Sequence, residues 1–397
     1  MRLEYLSLAV RNIRHRKMRS WLTILGIFIG IAAVVGLISL SQGMNAAVAQ
    51  QFEMLGADTI TVMPGRMAAG PGFGAKPFTN DDVKVIERVR GVDTVVPMLY
   101  RTQEVKFRDE SKFTFVIGIP ADKIEKVVFD LSGLHITKGR LPPETDKYGI
   151  VVGHMIENNF FDKTVSVGDK LEIVGTDFKV RGFLSEVGNP SDDTQIYVHL
   201  DTAREIFDEP DNVDAIFLQV KNGADVEKVS DDIVKELKDA RGQEDFSVMT
   251  SSQLSETVGS VLGVIQLVFI GIASISLLVG GVGIMNTMYT SVRERTREIG
   301  VMKAIGARNS DVMSVFLFES GMLGLVGGSI GVVTGFALSK SVEMIAQGAG
   351  YMILKAAITP ELVLLGLGFS FIVGVLSGVL PARNAAKMNP VDALRYE

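Results

Sequence analysis

A short basic segment, Arg293 to Arg308, has the composition expected of a binding element. It carries five cationic and two anionic side chains between two long apolar runs. Within it, Ile299, Met302 and Ile305 recur every three residues, which places them near one face of a helix, and Gly306 follows as a helix stop. The residues alone leave two interpretations open. The helix either rests on lipid headgroups as a connector or docks into a groove on a soluble cytoplasmic partner.

One further ionisable residue, Glu319, lies about two helical turns into an apolar run. A carboxylate at that depth is costly and is therefore a functional candidate. The alternative is a structural role, in which the side chain snorkels to the headgroups or pairs with Arg308. We expect the structural role. The chain contains no G-x-x-x-x-G-K-[ST], H-E-x-x-H or G-x-S-x-G motif, and its four histidines lack ligand spacing. We therefore expect no catalytic residue, no metal site and no ATP site in this chain.

The chain contains four apolar runs, and each is long enough to span a bilayer. Small residues recur in them at four-residue spacing, which lets helices approach closely. Packing within one chain is the default interpretation of this spacing, and a dimer seam is the alternative. The glycines concerned are Gly26 and Gly30 in the first run, Gly327, Gly331 and Gly335 in the third, and Gly374 and Gly378 in the fourth.

The charge distribution predicts the topology. Six Lys and Arg precede the first run, five lie in the basic segment and three follow the fourth run, whereas residues 41–255 hold 24 Lys and Arg against 36 Asp and Glu. The positive-inside rule then places both termini and the basic segment in the cytoplasm, in a multi-pass protein of the cytoplasmic (inner) membrane. The acidic middle region mixes strand and helix patterns without regular βα alternation, so an extracytoplasmic α+β domain is predicted.

Only the first and second spans are predicted to extend beyond the membrane, as stalks. The soluble domain is therefore inserted between helices 1 and 2. The predicted divisions are a cytoplasmic amphipathic helix (1–20), the first span and its stalk (21–57), the extracytoplasmic domain (58–250), the second stalk and span (251–290), a cytoplasmic loop (291–311), the third span (312–338), an extracytoplasmic link (339–361), the fourth span (362–380) and a cytoplasmic tail (381–397).

Two segments carry a resemblance to a known family. Residues 296–307, TREIGVMKAIGA, and residues 381–397, PARNAAKMNPVDALRYE, resemble segments of the MacB/LolC/FtsX group of ABC-transporter permeases, and the resemblance extends over nearly the whole chain. It implies two subdomains outside the membrane, a homodimer, and a coupling helix that contacts a separate ATPase, which would bind ATP and Mg. The implied contact residues are Arg297, Glu298, Ile299, Gly300, Met302, Lys303, Ile305 and Gly306.

The resemblance implies a non-catalytic permease subunit. ATP hydrolysis in the partner chain would move the coupling helix, and the stalks would carry that motion to the outer domain for export or extraction of a substrate. The alternative is an FtsX-like signalling protein that activates an extracellular partner such as a cell-wall hydrolase. Expected partners are the ATPase, a second copy and membrane lipid, with room for an extracytoplasmic adaptor and no role for nucleic acid.

Overall fold

The computed structural model describes residues 17–65, 76–131 and 133–394, in two compact units. The helical unit comprises the chain up to Asn45, Val261–Ile345 and the chain from Leu354, and the α/β unit comprises Ala46–Ser260 and Ala346–Ile353. Residues 1–16 of the predicted amphipathic helix and the last three residues of the predicted tail lie outside the described residues.

In chain order, the helices and strands are α1 (Lys17–Leu55), β1 (Thr59–Pro64), α2 (Asn80–Glu87), β2 (Val92–Phe107), β3 (Glu110–Ile119), β4 (Ile136–Gly139), β5 (Gly149–Val152), α3 (His154–Asn158), β6 (Lys170–Ile173), β7 (Thr176–Leu184), α4 (Pro190–Asp193), β8 (Ile196–His199), α5 (Leu200–Phe207), β9 (Ala215–Val220), α6 (Val226–Arg241), β10 (Phe246–Thr250), α7 (Ser251–Glu294), α8 (Thr296–Ala304), α9 (Asn309–Gly348), α10 (Pro360–Ala386) and α11 (Pro390–Leu394). Short helical turns cover residues 121–131.

Among the described residues, four helices, α1, α7, α9 and α10, are long and apolar enough to cross a membrane. This confirms the four spans predicted from the apolar runs. The prediction that only the first two spans extend further is wrong, because α9 has 40 residues and ends at Gly348 rather than at residue 338. The added turns contain one buried acidic residue, which has hydrogen-bond donors nearby. Glu343 is buried, and it accepts hydrogen bonds from Lys340 Nζ at 2.6 Å and from the Ala356 backbone N–H at 3.0 Å.

Glycines bring the long helices into close contact within this chain. A Cβ on Gly26 would lie 2.7 Å from the Cα of Gly280, which brings α1 against α7. A Cβ on Gly335 would lie 2.7 Å from the carbonyl oxygen of Ala32, and one on Gly374 would lie 2.6 Å from that of Ser320. These close contacts pack α9 against α1 and against α10. Such distances admit only glycine, because a real Cβ would clash with backbone atoms.

The α/β unit contains a mixed sheet, which confirms the predicted α+β class. The main strand order is β10-β1-β9-β2-β3-β8-β5-β7-β4, and β6 pairs with β2 and β7. The β3–β8 and β5–β7 pairs are parallel, and the other pairs are antiparallel. Because β2 has 16 residues, its first half pairs with β9 from Val92 to Met98, and its second half pairs with β3 from Leu99 to Phe107.

Residues of this long strand belong to three hydrophobic cores of the described α/β unit. One core lies under α2 and α6 and draws on residues 60–95 and 213–246, the second draws on residues 99–203, and the third draws on residues 96–197. The second core thus comes from a stretch inserted in the sequence of the first. Local signals support the elements of this unit, as when Asp225 caps α6 by accepting from the Lys228 N–H at 3.1 Å. At the β6–β7 hairpin, Val174 and Gly175 have φ of 50° and 76°, as a type I′ turn requires.

Candidate partner-binding site

A single residue separates helix α8 from the end of α7. The break falls at Arg295, whose φ and ψ are −105° and 17°. The Thr296 hydroxyl donates to the carbonyl oxygen of Arg293 at 2.8 Å, which satisfies one of the free carbonyls at the end of α7. At its other end α8 stops before Gly306, whose φ of +100° lies in the region that favours glycine. The result is a nine-residue helix fixed at both ends.

The inward side of α8 packs into the core of the helical unit. Ile299 and Gly300 are buried, and Met302 is half-buried against the same core. The Lys303 Nζ donates to the carbonyl oxygens of Ala386 and Met388 at 2.6 and 2.7 Å, where α10 has ended and its last carbonyls need donors. These side chains hold the helix in place and are turned away from any partner.

The three residues that were predicted to share one face of α8 do not share it. A step of three residues in an α-helix falls about 60° short of a full turn. From Ile299 to Ile305 the direction thus drifts by about 120°, and Ile299 is fully buried whereas Ile305 is 82% exposed. A four-residue step stays closer to one face, and it connects Arg297, Val301 and Ile305, all of them exposed. Val301 was missed by the three-residue pattern.

The exposed surface of α8 combines charge with aliphatic side chains. Arg297 and Glu298 are exposed in the first turn, followed by Val301 at 48% and Ile305 at 82%. Ala304 is exposed between them. An apolar stripe with charged neighbours is a surface that fits a protein groove.

A second short helix, α11, lies directly against α8. A Cβ on Gly300 would lie 2.9 Å from the Cβ of Ala393 and 3.3 Å from the Cγ of Leu394. The absence of a side chain at Gly300 is what allows the two helices to pack this closely. The two segments quoted for the family resemblance are therefore in contact. Sequence reasoning did not predict this contact, since no periodicity connects residues almost a hundred positions apart.

Glu319 is neutralised by a different cation from the one predicted. Its Oε2 accepts a hydrogen bond from Arg295 Nη1 at 2.9 Å, and both side chains are about one-fifth exposed. Arg308, the predicted partner, is exposed, and its backbone N–H donates to Asp311. The helix break at Arg295 explains the change, because it turns the side chain of that residue towards α9. The structural role expected for Glu319 is the one that this geometry supports.

The described part of the chain contains no group of three or more His, Cys, Asp or Glu side chains that could hold a metal ion. Two buried imidazole nitrogens, His154 Nδ1 and His199 Nε2, have no hydrogen-bond partner within it. Burial lowers the pKa of His199, although the carboxylates of Asp146, Asp201 and Glu144 act in the opposite direction. These groups belong to the interior of the α/β unit and form no site together.

The geometry defines a multi-pass membrane protein with an inserted α/β unit and a short helix held between its second and third spans. Comparison with known proteins agrees with this. The family of MacB-like periplasmic core domains matches residues 20–236, and the family of FtsX-like permease C-terminal regions matches residues 270–390. The chain therefore belongs to the family of ABC transporter permeases that combine these two parts.

Relatives along the full length support this assignment. An uncharacterized ABC transporter permease of Methanocaldococcus jannaschii is 42% identical, over 99% of this chain and 98% of that protein. The uncharacterized permease YknZ of Bacillus subtilis is 32% identical, over 100% and 99%. The macrolide export ATP-binding/permease protein MacB of Bdellovibrio bacteriovorus is 31% identical over all of this chain, which spans 62% of the length of that protein.

Solved structures were also compared with this chain. The periplasmic region of MacB from Actinobacillus actinomycetemcomitans is 17% identical with a TM-score of 0.46, over 53% of this chain and 97% of that one. The extracellular domain of YknZ from Gram-positive bacteria is 20% identical with a TM-score of 0.39, over 48% and 100%.

Proposed function

We propose that this permease couples ATP hydrolysis by a separate ATPase subunit to movement of its α/β unit, for export or extraction of a substrate. The observation that carries the proposal is the continuity of α7. This 44-residue helix begins directly after β10 and ends one residue before α8. At 1.5 Å per residue it is about 66 Å long. A displacement of α8 can thus pass along one helix to the sheet of the α/β unit.

The separate ATPase is proposed from the relatives that match along their full length, which are named as ABC transporter permeases. ATP and Mg would be bound by that partner, with α8 as its docking helix. The exposed residues Arg297, Glu298, Val301, Ala304 and Ile305 would make the contact, and the buried ones would transmit its motion.

The proposed dimer rests on the exposure of α7. Only 11% of the most apolar 18-residue stretch of α7 is buried within the chain, whereas the corresponding share is 28–44% for the other three spans. Its glycines Gly259, Gly263 and Gly271 have no neighbouring atoms within 4 Å of a Cβ position. We propose that a second copy covers part of this helix, since glycines favour close helix approach in membranes, and that lipid covers the remainder.

The α10–α11 end of the helical unit is proposed to face the cytoplasm. Successive spanning helices run in opposite directions, which places the start of α1, the connection through α8 and the end of α10 at this end. These segments carry the excess of cationic residues. The location would be the cytoplasmic membrane. We propose export rather than FtsX-like activation of a cell-wall hydrolase, since relatives of this chain are named for macrolide export. An adaptor would bind the α/β unit.

The proposal is tested by purifying the full-length chain, tagged, from its native membranes. We expect an ABC ATPase to co-purify in a complex with two copies of each subunit by native mass spectrometry, and ATP hydrolysis to rise when the chain is present. A complex with one permease copy would exclude the dimer. A purified chain that carries no ATPase, and that leaves the hydrolysis of co-expressed ABC ATPases unchanged, would refute the coupling.

Topology is tested in intact cells with single cysteines, for which the chain offers a clean background since it has none of its own. Lys228→Cys on α6 and Arg297→Cys on α8 both replace exposed residues. An impermeant thiol reagent should label the first from outside and reach the second only after the membrane is opened. The opposite pattern would overturn the orientation.

A further inference from the structure

The docking surface offered by α8 alone is small. Nine residues at 1.5 Å each make a helix of about 14 Å, and half of its surface is used for packing inside the chain. Stable protein interfaces bury about 800 Å² on each partner and involve about 20 or more residues. The ATPase must therefore contact further elements next to α8, and the described structure shows which element is nearest.

Helix α11 presents aliphatic residues beside it. Val391 is 61% exposed and Leu394 is 45% exposed, and they lie three residues apart on one side of α11. Leu394 also packs against the Gly300 position of α8, next to the exposed Val301. Two helices in direct contact, with the residue that caps the first, thus carry Val301, Ile305, Val391 and Leu394. Large aliphatic side chains at this density on a polar end of the molecule indicate an interaction surface.

The position of α11 relative to α8 is fixed before any partner arrives. Lys303 donates to the carbonyl oxygens of Ala386 and Met388, which holds the connection from α10 to α11. Ala393 is buried against Gly300. A surface held in this way loses little conformational entropy when it binds, which favours affinity.

We propose that α8 and α11 together form the surface that binds the ATPase subunit, with Val391 and Leu394 as anchors beside Val301 and Ile305. This inference rests on the proposed function and extends it to a second contact element. Lipid is the competing occupant. Exposed carboxylates at Glu298 and Asp392 oppose it, because an acid among apolar anchors is costly in a bilayer but can be paired by donors of a protein.

The experiment uses the full-length chain together with the ABC ATPase that co-purifies with it. Val391→Asp introduces an unpaired charge on α11, Ile305→Asp does the same on α8, and Val167→Asp, at a comparably exposed valine of the α/β unit, is the matched control. We expect each of the first two variants to weaken binding of the ATPase at least tenfold. The control should bind as the wild type does, and all three should insert into the membrane at normal levels.

The outcomes separate the two proposals. If Ile305→Asp loses the ATPase while Val391→Asp binds normally, the role of α11 is refuted and the proposed function stands. If the wild-type chain binds no ATPase, the proposed function itself fails. A photo-crosslinking residue at position 391 decides the case in which Val391→Asp is unstable. Crosslinks from 391 to the ATPase support the inference, and crosslinks to lipid alone, while position 305 reaches the ATPase, overturn it.

Discussion

Replacing Arg295 by Met should destabilise the helical unit through Glu319. The change keeps most of the aliphatic volume of the side chain and removes its charge. Glu319 then loses its 2.9 Å partner while remaining only one-fifth exposed. Breaking a buried pair by removing one partner typically costs about 3–5 kcal/mol. Because both side chains retain some exposure, we expect a smaller cost of about 2–3 kcal/mol.

The assay is a double-mutant cycle in lipid nanodiscs. Thermal unfolding is followed for Arg295→Met, Glu319→Leu and the double variant, and each single change should lower the unfolding temperature by about 5–10 °C. The double variant should be more stable than the sum of the single effects implies, because it leaves no unpaired charge. Arg297→Met, at the exposed neighbour, is the control. Strict additivity, or an equal loss in Arg308→Met, would refute the pairing.

Three other predictions follow from named contacts. Gly374→Val should destabilise the helical unit or prevent its assembly, since a Cβ there would lie 2.6 Å from the Ser320 carbonyl oxygen, whereas Gly368→Val, with open space around it, should unfold near the wild-type temperature. Lys303→Met should leave the carbonyl oxygens of Ala386 and Met388 without their donor and raise amide hydrogen exchange in residues 387–394. Lys387→Met, at an exposed lysine, is the control. Unchanged exchange in Lys303→Met would show that these two hydrogen bonds do not hold α11 in place. Hydrogen bonds from Arg241 lower the pKa of Asp245 from 3.8 to about 2, so the ionised carboxylate stabilises the folded state above about pH 4. Roughly 2 kcal/mol of the free energy of unfolding is then lost as the pH falls from 4 to 2. Acid unfolding followed by circular dichroism should lose this pH-dependent component in Asp245→Asn and keep it in the control Asp231→Asn.

The membrane spans were predictable because their signal is simple. A run of about 20 apolar residues has few alternatives to a spanning helix, and the order of strands and helices in the middle region favoured an α+β domain. The end of α9 was harder to predict. Lys340 and Glu343 resemble the start of a polar link, and only the structure shows that Glu343 is buried and paired within the helix and with the Ala356 N–H.

At the candidate site, the sequence located the element but not its faces. The helix and its stop at Gly306 were read from local residues. The inward face could not be read, because α8 packs against the end of α10 and against α11, which lie far along the chain, as the separation of 83 residues between Lys303 and Ala386 shows. Pairing of Glu319 was expected on energetic grounds, but the choice of Arg295 over Arg308 depends on one backbone break that no composition rule predicts.

Packing within the chain accounts for two residues of the family segments. A Cβ on Gly300 would lie 2.9 Å from the Cβ of Ala393, and the Lys303 amine donates to the carbonyl oxygen of Ala386 at the end of α10. These residues fix where α8 points. The exposed positions, Val301 and Ile305 among them, are left free to match a partner. With α8 as the proposed docking helix, an ATPase subunit that differs between two such permeases should be matched by changes at the exposed positions. Changes at Gly300 or Lys303 should instead move the whole helix and weaken the binding of every such ATPase alike.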